Sequence, residues 1–576
     1  MNRSNLRRMK RDLGPLENQL VDAYAAGAVS RRSFLVRGSV LGLSVTTLGS
    51  IISACGSDDE TASTGSAGTE SATASATASA TASATASEPA AGEIKQGGTL
   101  RIAAQKPAGP LDPVAMADLG TYTPVVTCFE YLVNTLGATL SPMLAESWKP
   151  NDDGSVWTFN LRKGVMWHDG KPFTSADVVA TMDRLSLSNL KAYIVAGATK
   201  AIDENTVEIT LNAPDGQFPY QVGPYNPQSI ITPVDFVLGT TLDQSPNGTG
   251  PFKLTKYDAA TGATFDANLD YWDGKPYLDK LEFLFSEDIA TLVSGLQGGA
   301  TDAIVQFSVI GGDALLADPN LTVGIIHGSA HRQLWMNVRE GDFTDVRVRQ
   351  AVALGIDRQA LIDTVLKGKG DLGNDHPIAP IYPFFDATLP QREQDIAQAK
   401  QLLKDAGKEG LAATMYFPKL QEIPQLAQVI QSQLKEIGMD VTLQQETVVD
   451  GEEWCKVYDS TNEPAGCDGG MDFGIVDYGP RGVPDVYLVK AYATGEWNSA
   501  HYISEPFRAA VKAYQASLDP AGQAAAIKDI QKIAHEDVPY VIPYFYNSLY
   551  ANAKNVTGIV ATGLGHFYCG KAGFTA

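Results

Sequence analysis

Val156–Val178 reads VWTFNLRKGVMWHDGKPFTSADV. Trp157, Phe159 and Leu161 alternate with Thr158 and Asn160, the period of a strand with one buried face. Gly164 then predicts a turn, Val165–Trp167 a second strand, and Asp169-Gly170 another turn. Thr174 or Ser175 caps a helix that carries Asp177 in its first turn, where a carboxylate meets the unpaired amides. The stretch is therefore two strands and a helix on tight turns, part of an α/β fold.

Outward from it, Thr99–Ala103 reads as a strand running into a Gly- and Pro-rich loop. Ile396–Ala406 and Pro424–Ile437 read as helices stopped by Gly407 and Gly438, the second followed by a strand at Val441–Leu443. Residues 97–576 exceed the size at which one core keeps growing, so at least two lobes are expected.

Met471–Leu488, MDFGIVDYGPRGVPDVYL, holds one carboxylate, Asp477, at the end of an apolar run. It is followed by Gly479, Pro480, Gly482 and Pro484, which turn the backbone. A carboxylate at such a strand end either bonds its own turn or is a fixed negative charge aimed at a ligand cation.

At the amino end, Arg31-Arg32 precedes a weakly apolar segment, Gly38–Ser53, too short and too diluted to span a bilayer. Residues 1–54 read as a twin-arginine-type lipoprotein signal peptide, removed on export. Ile52-Ser53-Ala54-Cys55-Gly56 resembles a lipobox, so Cys55 is the expected acylated residue, anchoring the protein to the outer face of the membrane without spanning it. Residues 55–96 continue as a Thr-Ala-Ser-Ala tether that cannot bury enough surface to order itself. As a flexible coil it would reach roughly 35 Å. The net charge of −22 argues against nucleic-acid binding and selects no ligand. Besides Cys55 there are Cys128, Cys455, Cys467 and Cys569. Their even number in an exported chain suggests two disulfides, Cys455–Cys467 first and Cys128–Cys569 if the chain ends meet.

The run of Trp, Thr-Phe, Leu-Arg, Gly-Val, His-Asp-Gly, Pro-Phe and Asp-Val in the opening stretch resembles the signature of the family 5 extracellular solute-binding proteins, the peptide and nickel group of ABC-importer receptors. Asn247-Gly248-Thr249-Gly250-Pro251-Phe252, Tyr271-Trp272, Asp345–Ala351 with Ile356-Asp357-Arg358, Asn498–Tyr502 and Val538–Tyr544 extend the resemblance over about residues 97–570. It implies a two-lobe periplasmic-binding-protein type II fold, the Venus flytrap. The first lobe comprises 97–130, 217–334 and 545–576, with an extra subdomain at 131–216; the second lobe is 335–544. It also implies a monomeric receptor, not an enzyme, that closes on a peptide or peptide-like solute and delivers it to ABC permease subunits.

By resemblance, Ile475-Val476-Asp477-Tyr478 overlies the segment that meets a peptide ammonium, so Asp477 inherits that role beside Tyr478. Trp454 lies where oligopeptide binders have an aromatic pocket wall. Gly474 replaces a common Trp and implies a larger or differently shaped space. Dipeptide binders hold the ligand carboxylate with an arginine after the strand equivalent to Thr414–Phe417. Here only Lys419 is available in Pro418-Lys419-Leu420-Gln421-Glu422. Arg481, in an inserted loop, either contacts an anionic ligand or is solvated. Within the same fold, a nickel chelate, opine, haem or oligosaccharide is the alternative solute, and a peptide-sensing lipoprotein the alternative role. No cofactor and no metal site is expected: His327 and His331 sit in a strand-like stretch with no completing ligands, and His168 belongs to a structural turn. No nucleophile or zinc-protease motif is found in the folded part.

Overall fold

The computed structural model describes residues 93–116, 118–136, 139–446, 471–493 and 498–575. The signal segment, Cys55, the tether up to residue 92, Trp454, Cys455 and Cys467 lie outside the described residues. No helix among the described residues is long and apolar enough to cross a membrane.

Two seven-stranded sheets organise the chain. The first runs, edge to edge, Leu321–Ile326, Ser548–Ala553, Ala303–Phe307, Thr99–Gln105, Lys280–Ser286, Gly262–Ala267 and Phe252–Asp258. Its centre, TLRIAAQ, lies parallel to both neighbours. Leu100, Ile102, Ala103 and Ala104 are buried, as expected of a strand covered on both faces. The second sheet runs Gly370–Leu372, Tyr544–Tyr546, His331–Met336, Phe473–Tyr478, Ala412–Pro418 and Asp440–Glu446, with Tyr540–Val541 paired to His331–Met336. Ala412–Pro418 and Asp440–Glu446 are parallel and joined by the helix Ile423–Glu436, a β–α–β unit closed by Gly438 at φ 92°.

A third, four-stranded sheet, Ala145–Pro150, Val156–Leu161, Thr206–Thr210 and Lys200–Asp203, lies within residues 131–216. The opening stretch behaves largely as its local chemistry dictates. Val156–Leu161 is a strand, Gly164 and Gly170 turn with positive φ, and Thr174 caps the helix Ser175–Ser186 through a capping box with Asp177. Asp177 also accepts from the Trp167 indole and the Val234 amide, tying the helix to the next segment. The second strand expected at Val165–Trp167 reduces to the single bridge Met166–Pro172. The two turns at Gly164 and Gly170 leave too few residues between them for a ladder. His168 bonds the Pro246 and Gly250 carbonyls, stapling the glycine turn in the structural role expected of it.

The chain passes between the sheets twice, at residues 327–330 and at Asn547, because His331–Met336 and Tyr544–Tyr546 both belong to the second sheet. The expected boundaries at 334 and 545 therefore shift by a few residues. The cross-strand partners of His331, Tyr478 and Phe545, place that residue inside the second lobe. The second lobe is pinned by fully buried Asp375, which accepts from Arg358 and from Arg392 at 2.7 Å each. Burial disfavours its charge, but the two guanidiniums prevail and its pKa lies below the usual value.

Cys128 and Cys569 are free thiols, so the expected bridge between them is not made. Both are buried in the apolar core of the first lobe, where a thiol packs as a small hydrophobe, and burial pushes Cys128 up to about 12. In the same lobe the Tyr271-Trp272 pair grips Glu130: the Tyr271 hydroxyl donates at 2.9 Å and the Trp272 indole at 3.0 Å. Burial raises Glu130 to about 7.

Candidate functional site

Phe473–Tyr478 and His331–Met336 are antiparallel, with Asp477 directly opposite Arg332. Alternation along the strand sends Asp477 and Tyr478 to opposite faces. Arg332 is fully buried, and every nitrogen of its guanidinium is engaged. Nε donates to Glu422 Oε1 at 2.7 Å, Nη2 to Glu422 Oε2 at 3.0 Å and to Gln421 Oε1 at 2.7 Å, and Nη1 to Asp477 Oδ1. The Tyr546 ring lies 4.2 Å from the guanidinium carbon, and its hydroxyl donates to Asp477 Oδ1 at 3.0 Å. Burial opposes the Arg332 charge, yet Asp477, Tyr546 and Glu422 outweigh it and hold the guanidinium well above its usual pKa.

Two carboxylates thus surround one arginine, leaving a net charge of −1. Both Glu422 oxygens are spent on Arg332. Asp477 spends Oδ1, and its side chain remains 24% exposed. Gln421, which completes the cradle, holds φ at 45°. A non-glycine residue there costs about 1–3 kcal/mol and is kept where surroundings over-determine it. Beside this cluster residues of both lobes line an open cavity of about 370 Å³. Gln105, Thr123 and Ser308 line it from the first lobe, and Gln421, Glu422 and Tyr546 from the second.

The sequence-expected residues divide. Asp477, expected to be a free charge facing a ligand, is already paired with Arg332 and Tyr546, and it is not among the residues that line this cavity. Tyr478 does not join it: its ring stacks on His331 at 5.4 Å and meets Tyr487 edge-on, inside the lobe. Gly474 opens no space. It is buried opposite Trp335, and a Cβ there would lie 2.6 Å from the Tyr416 carbonyl oxygen and 2.9 Å from the Trp335 indole. The volume attributed to a missing Trp is filled by a Trp from the paired strand. Lys419 is exposed on the loop, while Gln421 and Glu422 turn toward the cleft. The Arg481 amide donates to Ser329 Oγ, its carbonyl accepts from Ser329 and Tyr382, and its guanidinium donates to the Pro480 carbonyl of its own loop. His327 pairs with Asp371 at 2.8 Å, and His331 is enclosed by Tyr478, Tyr487 and Phe545. Among the described residues no cluster of His, Cys, Asp and Glu could hold a metal ion.

Arg332, Gln421, Glu422 and Tyr546 were not singled out from the sequence as site residues. One signal was present: in HRQLWM, alternation puts Arg332 on the same face as Leu334 and Met336, and a charge on a core face requires a buried counter-ion.

The sequence profile of bacterial extracellular solute-binding proteins, family 5 middle region, matches residues 139–499. Among similar curated proteins, heme-binding protein A of Haemophilus influenzae is 26% identical over 70% of this chain and 78% of its own length. Di/tripeptide-binding protein 3 of Pseudomonas aeruginosa is 29% identical over 74% of this chain and 85% of its own. Among solved structures, HbpA2 of Haemophilus parasuis superposes with a TM-score of 0.74 at 23% identity, covering 83% of this chain and all of that one. The oligopeptide-binding protein AppA of Bacillus subtilis, solved with a nonapeptide, gives 0.62 at 22%, covering 84% and 100%.

Proposed function

The chain belongs to the family 5 bacterial extracellular solute-binding proteins, and from that premise we propose that its solute is a peptide or peptide-like molecule, captured between the lobes and handed to an ABC permease. The receptor role goes with the family; the solute class is the step beyond it. The observation that carries it is the anionic cluster at the cleft, in which Asp477 keeps an exposed carboxylate edge with one net negative charge behind it. A peptide ammonium would supply the missing positive charge, and a charge-assisted hydrogen bond there is worth about 1.5–3 kcal/mol. The curated relatives include di/tripeptide binders, which supports the same reading. Binding stabilises the closed form over the open one, so capture and closure are one equilibrium. Export by the twin-arginine route, acylation at Cys55 and a monomeric state belong to this proposal, as does an aromatic pocket wall from Trp454.

A second reading is favoured by one observation. Arg332 already occupies Oδ1 of Asp477, so a solute without a free amine, such as a haem or other non-peptide ligand, meets a site whose charge is half satisfied in advance. Native mass spectrometry of the freshly purified protein separates the two. A ladder of short peptide masses is expected; a single non-peptide mass overturns the peptide reading.

A further inference from the structure

The helix Arg358–Val365 runs out into Lys367-Gly368-Lys369, where Lys367 and Gly368 hold φ at 51° and 75°. The Gly368 amide donates to the Ile362 carbonyl at 3.0 Å and the Lys369 amide to the Leu366 carbonyl at 2.9 Å, while the Lys369 carbonyl accepts from the Asn547 amide at 3.3 Å. The turn therefore fixes where both lysine side chains start, but their ammonium groups differ. Lys367 pairs with Asp313 at 3.2 Å. Lys369 is half-buried in the wall of the 370 Å³ cavity and forms no ion pair among the described residues. We propose, on the reading that the solute is a peptide, that Lys369 is the anion-binding residue of this cavity and holds the terminal carboxylate of a short peptide.

The remaining polar groups of the cavity wall show why. Most already have partners: Glu422 gives both oxygens to Arg332, Gln421 Oε1 accepts from Arg332, and the Tyr546 hydroxyl donates to Asp477. Thr123 donates to the Gly565 carbonyl, Ser308 to the Ile310 carbonyl, and the Gln306 amide to Ser548 Oγ. Besides the exposed Gln105, what is left is one cation, Lys369, and two buried carboxamide oxygens without a donor, Asn547 Oδ1 and Gln306 Oε1. Asn547 is 9% exposed and is the residue whose backbone bonds Lys369. A cation beside unfilled acceptors calls for a solute that presents an anion beside an N–H donor. The last residue of a peptide presents that pair, a carboxylate one carbon from an amide N–H. A charge-assisted bond from the ammonium is stronger than the neutral bond that an amidated end could accept. Lys369 also balances the wall electrically, since the Arg332 cluster, joined to the cavity through Tyr546, carries a net charge of −1. One negative and one positive pole match a solute with one free amine and one free carboxylate.

The test is titration calorimetry with alanine peptides of two to four residues, each as the free acid and as the C-terminal amide, on the wild type, Lys369→Met and Lys369→Arg. The wild type is expected to bind the free acid about tenfold tighter than the amide. Lys369→Met should lose that preference by weakening the free acid alone, and Lys369→Arg should keep most of it. Because Lys369 has no ion-pair partner in the fold, Lys369→Met should unfold at the same urea concentration as the wild type; a large loss of stability without a change in the acid-to-amide preference would make Lys369 a structural counter-ion and overturn the assignment. Equal binding of acid and amide by the wild type, or a preference that survives in Lys369→Met, also overturns it while leaving the peptide reading standing. Binding of none of the peptides overturns the peptide reading and this assignment with it.

Discussion

Asp477→Asn keeps the shape of the side chain and removes its charge. Its Oδ1 accepts from Arg332 and Tyr546, so in the variant Arg332 still holds both oxygens of Glu422 and the Gln421 amide oxygen, and the cradle survives. What is lost is the charge on the exposed edge. A solute ammonium bonded there loses a charged hydrogen bond of about 1.5–3 kcal/mol. At 1.4 kcal/mol per decade, affinity for a free-amine peptide falls roughly 10- to 100-fold. The N-acetylated peptide brings no charge and forfeits at most a neutral hydrogen bond, about 0.5–1.5 kcal/mol, or roughly 2- to 10-fold. Titration calorimetry with a peptide recovered from the native protein and with its N-acetylated form measures both factors, and chemical unfolding checks that the variant is folded. Equal weakening of the two would refute the ammonium contact and leave Asp477 as a partner of Arg332 alone.

Two further outcomes follow from the same geometry. Arg332→Met leaves Glu422 buried with no cation and should lower unfolding stability by about 3–5 kcal/mol in urea denaturation, whereas Arg332→Met with Glu422→Met should recover much of the loss, since removing both charges removes the desolvation problem. Gly474→Ala places a methyl against the Tyr416 carbonyl and Trp335, so it should cost about 1–3 kcal/mol of stability. Affinity measured on the folded variant should not change, because the position faces the core and not the cleft; a selective loss of affinity would return Gly474 to the site.

What was readable in the chain and what was not divides by the range of the interaction. Thr174, Asp177, Gly164 and Gly170 act on backbone within a few residues of themselves, so the strand, turns and capping box of the opening stretch follow from their order. Gly407 and Gly438 end their helices for the same reason, each at positive φ. The pairing of Phe473–Tyr478 with His331–Met336 brings together residues 145 apart in sequence, and no local rule chooses that register. From that one pairing come Arg332 opposite Asp477 and Trp335 opposite Gly474. Read alone, Gly474 looked like room for a ligand and Asp477 like an unclaimed charge. Read in register, each is complemented by a residue of the neighbouring strand.

That register also bears on selectivity. Had Asp477 and Glu422 faced the cleft without Arg332, two nearby carboxylates would raise one another's pKa and favour a dication or a shared proton. With Arg332 between them, Glu422 is satisfied internally and Asp477 is oriented by two donors on one oxygen, its side chain staying 24% exposed. A single fixed negative edge suits one ammonium and discriminates little among the groups attached to it. On the proposed peptide reading, selectivity for the rest of the solute would fall to the walls of the 370 Å³ cavity, where amides and hydroxyls such as Gln105, Thr123 and Ser308 would adapt through water to different side chains.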